Sequence, residues 1–465
     1  MNICLLNDSF PPVIDGVANV VMNYGRVLAQ DLNENVVVGT PRYPDVNYEG
    51  YPYRVIPYPS FDTTDFVKGY RTGNPLAIRE IAQMSEFSPD IIHTHCPAAS
   101  TIMARILRRD TGAPIVFTYH TKFDVDIARA VGDGFLKQET IKTMVSNIEA
   151  CDDVWVVSEG AGENLRSLGY QGEYRVMNNG VDFPRGRAGE DLVKEISIEY
   201  GLPENVPVFL FVGRIMKYKG LPLIIDAMKI LSKNNIDYRM VFVGGGADAE
   251  EIKRQVEEYG IGDKVIFTGP EHDREKLRAW NTRADLFLFP SVYDTNGIVV
   301  REAAACGLAS VLIKGSCAAE GITHDRNGYL IEENAEAMAS LLETVSGDLD
   351  HLHQVGQNAM DEIYISWEES VKVAHDRYAE LGEMAKAGVF GHRKHQSLEY
   401  LVKSAATILD DSEYILKVPK LFYEGMKENF ETIRDDFHEM RADIRNDIRE
   451  DIEQVRERLN GSSEN

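Results

Sequence analysis

From its first residues to about residue 363 the chain alternates between short runs rich in Val, Ile and Phe and longer stretches with helical apolar spacing. Such alternation is the mark of a parallel sheet, because parallel neighbours need a long crossover between them and cannot be joined by a tight turn. The pattern comes in two series. The first predicts strands at residues 2–6, 35–39, 54–57, 91–94, 115–119, 153–157 and 174–177, with helices such as 16–32 and 100–109 between them. The second starts at Val208 and reads VFLFVGR, MVFVGGG, KVIFTG, DLFLFPS, ASVLIKG and GYLI, separated by helices such as 221–233 and 249–259. At 465 residues the chain is too long for one ordinary core. The fold class is therefore α/β: two Rossmann-like domains, residues 1–190 and 191–363, joined near residues 182–206, which are rich in Gly, Pro and charge. Ligands of open parallel sheets bind at the carboxyl ends of the strands, so the two domains facing each other enclose a cleft where the chemistry is expected.

The remainder differs in kind. A helix over about 364–385, carrying Trp367, is expected to pack back on the first domain, followed by a hinge at 386–396 with the basic cluster His392, Arg393, Lys394 and His395. Residues 397–465 read as a helical tail: from Phe422 to Leu459 the apolar positions recur about every 3.7 residues, a long C-terminal helix with one narrow stripe. Such a stripe must be covered. Packing on the body of the same chain, a coiled coil that makes the protein a homo-oligomer, and weak contact with a membrane surface all satisfy it. Ten basic and seventeen acidic residues from Gln396 onward argue against anionic lipid and favour a protein contact.

Charge narrows the partners. With 49 Lys and Arg against 74 Asp and Glu the net charge is -25, which gives no long-range attraction to nucleic acid or to an anionic bilayer. Any anionic substrate must be held by locally placed cations. The five cysteines, Cys4, Cys96, Cys151, Cys306 and Cys317, are widely spread and free of CxxC or Cys/His spacing, as in reduced cytoplasmic proteins. No leader and no spanning apolar run of about 20 residues is visible. The expectation is a soluble cytoplasmic protein, at most peripheral at the inner membrane face.

The most informative segment is PSVYDTNGIVVREAAACGLASVLI. A strand ending at Pro290 leads through Asp294, Thr295, Asn296 and Gly297 into a helix that begins near Ile298 and carries Glu302. Backbone N–H groups at such a start form an anion- or hydroxyl-binding end, with Asp294 at the loop and Glu302 on the cleft side. Alone, the pair reads equally as an N-capping Asp and an exposed helical Glu. Upstream, VGRIMKYKG delivers Arg214 to the end of a strand and Lys219 to the start of the next helix, a bidentate guanidinium and a point charge suited to a diphosphate. Together these features describe a nucleotide-sugar site. Near the amino terminus, NDSFPPVIDGVANVV sets Asp15, Gly16 and Val17 at a helix start, where glycine lets a backbone approach phosphate oxygens. No GxGxxG stands there, so a nicotinamide enzyme is disfavoured. HTHCPAAS and FTYHTKFD end strands with histidines, placing His95 and His120 toward the cleft and His93 inside its strand.

On VGR...KG at 212–220 and the D-x7-E pair, the sequence resembles the family-4 retaining glycosyltransferases of the GT-B fold over about residues 1–385. The family motif is E-x7-E, and Asp294 here is one methylene shorter. The resemblance implies that Arg214 and Lys219 neutralise the donor diphosphate and that Glu302 binds the ribose. It also implies that Asp294, with the backbone of Asn296, Gly297 and Ile298, holds the sugar, that Gly16 approaches the diphosphate, and that His120 positions donor and acceptor near the reacting carbon. It implies transfer of a hexose, glucose from UDP-glucose, to a lipid or glycan acceptor, with retention and with no metal or other cofactor. Asp124 and Asp126 resemble a metal-binding D-x-D but lie in the wrong half. A nucleotide-sugar epimerase of the same architecture and a non-catalytic scaffold acting through the tail are the alternatives. Gly244, Gly245 and Gly246 read as a turn, and Arg105, Arg108 and Arg109 as a solvated helix face.

Overall fold

The computed structural model describes residues 1–13, 15–62, 70–124, 127 and 134–390. The predicted tail, the cluster His392 to His395, most of the hinge and Asp126 lie outside the described residues.

Two parallel sheets form. The first joins β1 (Asn2–Leu6), β2 (Asn35–Pro41), β3 (Arg54–Tyr58), β6 (Ile91–Thr94), β7 (Ile115–Tyr119), β8 (Asp153–Val156) and β9 (Arg175–Val176) in the order 3-2-1-6-7-8-9. A small antiparallel pair, β4 (Ser60–Asp62) and β5 (Arg71–Gly73), lies outside it. The second sheet joins β10 (Val208–Val212), β11 (Arg239–Val243), β12 (Val265–Gly269), β13 (Leu286–Phe289), β14 (Ser310–Ile313) and β15 (Tyr329–Ile331) in the order 12-11-10-13-14-15. The central strands are buried along their whole length, as Val/Ile/Phe runs covered by helices on both faces must be.

In each sheet the order reverses once, beside β1 and β6 in the first and beside β10 and β13 in the second. At a reversal the connections leave to opposite faces and a crevice opens at the strand ends. Gly16 follows β1, and Arg214, Lys219 and Asp294 follow β10 and β13, at these two places; His120 leaves one strand further on, after β7.

The residues read as a linker are folded. Helix Glu190–Glu199 occupies the middle of that stretch, and Phe183, Ala188, Ile196 and Leu202 belong to the core of the second sheet. At Gly180 a Cβ would sit 2.5 Å from the Trp367 backbone, so only glycine lets the outgoing chain pass the returning one. Returning, helix Trp367–Lys386 opens on a capping box between Ser366 and Glu369. It buries Trp367, Val371, Ala374, Tyr378 and Leu381 in the first core, with Tyr378 stacked on Trp155 at 5.4 Å.

One further reading needs correction. Arg105 and Arg108 are 5% and 3% exposed and form no solvated face. Arg105 donates to Asn147, and Arg108 pairs with Asp152 at 3.0 Å and donates to the Ala150 carbonyl; Arg109 alone of the three keeps to the surface, bonded to Asp110. The glycines after β11 lie in the turn expected there, Gly244 at φ 148°, and two of them also allow close backbone packing: a Cβ on Gly244 would lie 1.9 Å from the Gly213 oxygen, and one on Gly246 2.2 Å from that of Ile215.

Candidate active site

The site is built from strand ends. β10 stops at Val212; Gly213, at φ 150°, turns the chain, and Arg214 follows with its guanidinium donating to the Tyr218 hydroxyl at 3.1 Å. A short 3-10 turn, Lys217–Lys219, ends on Gly220 in the left-handed region at φ 80°. There a Cβ would meet the Pro290 oxygen at 2.5 Å, so glycine holds the loop after β10 against the loop after β13. The contact brings cation and carboxylate together: Lys219 Nζ lies 2.5 Å from Asp294 Oδ1, while Ser291 donates to Asp294 Oδ2 at 2.5 Å.

Asp294 is not an N-cap. Helix Ile298–Ala305 begins on Gly297, whose φ of 60° also favours glycine, and its first N–H groups have no acceptor within the helix. Inside that helix Glu302 is mostly buried and meets Arg274 at 2.7 Å through Oε1. Burial pushes the Glu302 carboxyl above the usual range, and Arg274 pulls it back. Arg274 also reaches Asp182 at 3.6 Å and lies over the Phe183 ring at 4.4 Å, tying the acid to the chain between the sheets.

The first sheet contributes from the opposite side. After β1, Asp15 caps helix Gly16–Arg26 by accepting from the Ala18 N–H at 2.7 Å, and also accepts from Ser9 and from the Tyr70 hydroxyl. Burial, more than the neighbouring Asp15 carboxylate, pushes the Tyr70 hydroxyl up. A Cβ at Gly16 would meet no protein atom within 4 Å, so packing within the chain does not demand glycine there.

His120 follows β7 and is 7% exposed; burial pushes its imidazole down to about 3, so it is neutral at physiological pH. His93 is structural, held by Thr118 at 2.7 Å and Tyr378 at 2.5 Å.

The two halves meet through the loop that holds Asp294. Thr295 donates to the His120 carbonyl, and Ser158 donates to the Thr295 carbonyl at 2.5 Å. Asn296 Nδ2 donates to Val157 O at 2.6 Å, and Lys122 Nζ to Val292 O at 3.2 Å. Glu320 accepts from the Glu159 and Gly160 N–H groups at 2.8 and 2.7 Å, at the start of helix Glu159–Ser167. Arg214, Lys219, Asp294, Asn296, Gly297 and Ile298 thus gather about one loop system, with His120 bonded to it from the other sheet and Glu302 one turn deeper. Sequence reasoning missed this clasp, since its donors are ordinary Ser, Thr and Lys. It also missed Asp8, two residues after β1, which accepts from the Ser100 N–H at 2.8 Å and is pushed up to about 6 by burial. Its position at a strand end was the available signal.

Comparison with known proteins gives the family and the fold. Residues 193–362 match the family model "Glycosyl transferases group 1", and residues 14–185 match "Glycosyltransferase Family 4". The sulfoquinovosyl transferase of Arabidopsis thaliana is 30% identical over 75% of this chain and 67% of its own length. The alpha-monoglucosyldiacylglycerol synthase of Streptococcus pneumoniae is 25% identical over 92% of this chain and 98% of its own length. Among solved structures, Anabaena HepE in complex with UDP superposes with a TM-score of 0.67 at 18% identity, over 82% of this chain and all of that one, and shares the fold. The two facing Rossmann-like domains are those of the GT-B fold, and the chain belongs to the group 1, family 4 glycosyltransferases.

Proposed function

We propose that the protein is a retaining, metal-independent hexosyltransferase that moves glucose from UDP-glucose to a lipid or glycan acceptor, with a lipid favoured. The observation that carries the reading is the meeting, on one loop, of Lys219 with Asp294 at 2.5 Å and of Thr295 with the His120 carbonyl. A cation pair, two acids and a histidine from the other domain then surround one cleft.

Loss of a nucleoside diphosphate places growing charge on the leaving phosphate. Arg214, Lys219 and the N–H groups beginning at Ile298 stabilise that charge where it develops. Lys219 is already paired, and exchanging Asp294 for phosphate keeps its charge satisfied while freeing Asp294 to accept from sugar hydroxyls. Glu302 holds the ribose, Gly16 lets the backbone approach the diphosphate, and neutral His120 positions the sugar without moving a proton. The departing phosphate is then the group that accepts the proton of the attacking hydroxyl. With the clasp made, water is kept from the reacting carbon.

A lipid acceptor is favoured by the 92% of this chain that aligns with a diacylglycerol-sugar synthase. Among the described residues no helix is long and apolar enough to cross a membrane. Under this reading the enzyme meets its lipid at the membrane surface, from the cytoplasmic side. The test is incubation of the full chain with UDP-glucose and EDTA, with and without diacylglycerol vesicles. Slow UDP release alone, and an α-linked glucolipid with vesicles, are expected. Absence of binding and hydrolysis across the common nucleotide sugars refutes the transferase reading and favours the scaffold; a changed sugar in place of a transferred one favours the epimerase.

A further inference from the structure

Two imidazoles share a hydrogen bond at the carboxyl end of the first sheet. His95 follows β6 and His120 follows β7; their rings are stacked with centroids 5.2 Å apart, and His95 Nδ1 lies 2.9 Å from His120 Nε2. One nitrogen must donate. His95 is 2% exposed, and among the described residues its Nε2 has no hydrogen-bonding partner.

That settles the direction. Were His120 to donate from Nε2, neutral His95 would carry its own proton on Nε2, a buried N–H with no acceptor, which is the rarer and costlier arrangement. If His95 donates from Nδ1, its Nε2 is a bare lone pair and no donor is stranded. A charged pair is opposed by burial and by the His93 ring, whose centroid lies 4.0 Å from that of His95. His93 cannot substitute, because both of its nitrogens are engaged by Thr118 and Tyr378.

We infer that His95 is a positioning residue that fixes the tautomer of His120: it donates from Nδ1, so His120 accepts at Nε2 and carries its proton on Nδ1 as a neutral N–H donor. The functional half rests on the proposed function. A donor selects an oxygen on the transferred sugar that can accept, a hydroxyl or the ring oxygen. With Nε2 occupied and Nδ1 protonated, His120 has no lone pair with which to take the proton of the attacking alcohol.

The test begins with long-range 15N–1H correlation of the full chain, labelled at histidine and recorded without ligand at pH 7, with assignment by His95→Asn and His120→Gln. Protonated Nδ1 and bare Nε2 on both residues are expected. A His120 protonated at Nε2, with His95 also protonated at Nε2, overturns the inference, as does an imidazolium at either position. The second arm compares His95→Asn, whose amide nitrogen replaces Nδ1 as donor, with His95→Leu. The Asn variant retains the His120 tautomer and most of the UDP-glucose turnover. The Leu variant, with thermal unfolding matched to wild type, loses the tautomer and about tenfold in kcat, the worth of one aligned hydrogen bond, with KM little changed. A folded Leu variant that keeps tautomer and kcat refutes the role. Wild-type protein inert toward every donor strikes the proposed function and leaves the tautomer assignment to stand or fall by its spectrum.

Discussion

Replacing Arg108 by methionine tests whether the first domain depends on a buried ion pair. The guanidinium and the Asp152 carboxylate are 3% and 0% exposed at the side chain, and they meet at 3.0 Å. Methionine fills most of the volume and removes the charge. Asp152 keeps the Ile115 N–H at 2.8 Å, but the Ala150 carbonyl loses its donor. Breaking a buried pair costs about 3–5 kcal/mol, because the surviving charge is left in a medium that does not solvate it. The retained N–H places Arg108→Met at the lower end, about 3 kcal/mol. For a domain of this size that lowers the melting temperature by roughly 6–12 °C. Fluorescence of Trp155, buried on β8 of the same sheet, reports the transition. Adding Asp152→Asn to Arg108→Met removes the stranded charge and is expected to return about half of the loss. A cost below about 1 kcal/mol, or no recovery in the double variant, refutes the account of a desolvated charge.

Lys219→Met is expected to lower kcat/KM for donor turnover by roughly 100- to 1000-fold, the usual worth of one group aimed at developing charge; a loss under about tenfold in steady-state UDP release removes Lys219 from the diphosphate site. Arg274→Gln removes the charge that pulls the Glu302 carboxyl down, leaving burial and Asp182 to push it up, with Cys306 its other titratable neighbour. With Glu302 holding the ribose as a carboxylate, as proposed, the acid limb of UDP binding, followed by calorimetry across pH, moves to higher pH; an unmoved limb refutes the pairing. Thr295→Val deletes the bond to the His120 carbonyl and is expected to raise donor KM about three- to tenfold with unfolding unchanged, the worth of one hydrogen bond; unaltered KM and kcat mean the clasp is not used in turnover.

The strands were legible because fully buried parallel strands are written as continuous Val/Ile/Phe runs, and their ends pointed to Arg214, Lys219, Asp294 and His120 as residues that leave the sheets together. What failed was long-range. Arg105, Arg108 and Arg109 at helical spacing look like a wet face, and only the approach of Asn147 and Asp152 from about forty residues away turns two of them inward. Helix Glu190–Glu199 was hidden because it buries little beyond Ile196, so its stripe is weak between Gly- and Pro-rich flanks. The helix expected over 16–32 runs to Asp31, but its end, Val27–Asp31, widens into a π-helix, which no local spacing announces. Asp294 is open to two readings in the sequence, and the bonds from Lys219 and Ser291, partners set by the approach of Gly220 to Pro290, decide between them.

The loop from Ser291 to Gly297 faces two masters. On the proposed function its carboxylate and backbone serve the small molecule, while the side chains of Thr295 and Asn296 grip the neighbouring sheet. On that reading, parting the halves frees the loop that retains the spent nucleotide, so that discharge of product and opening of the enzyme are coupled.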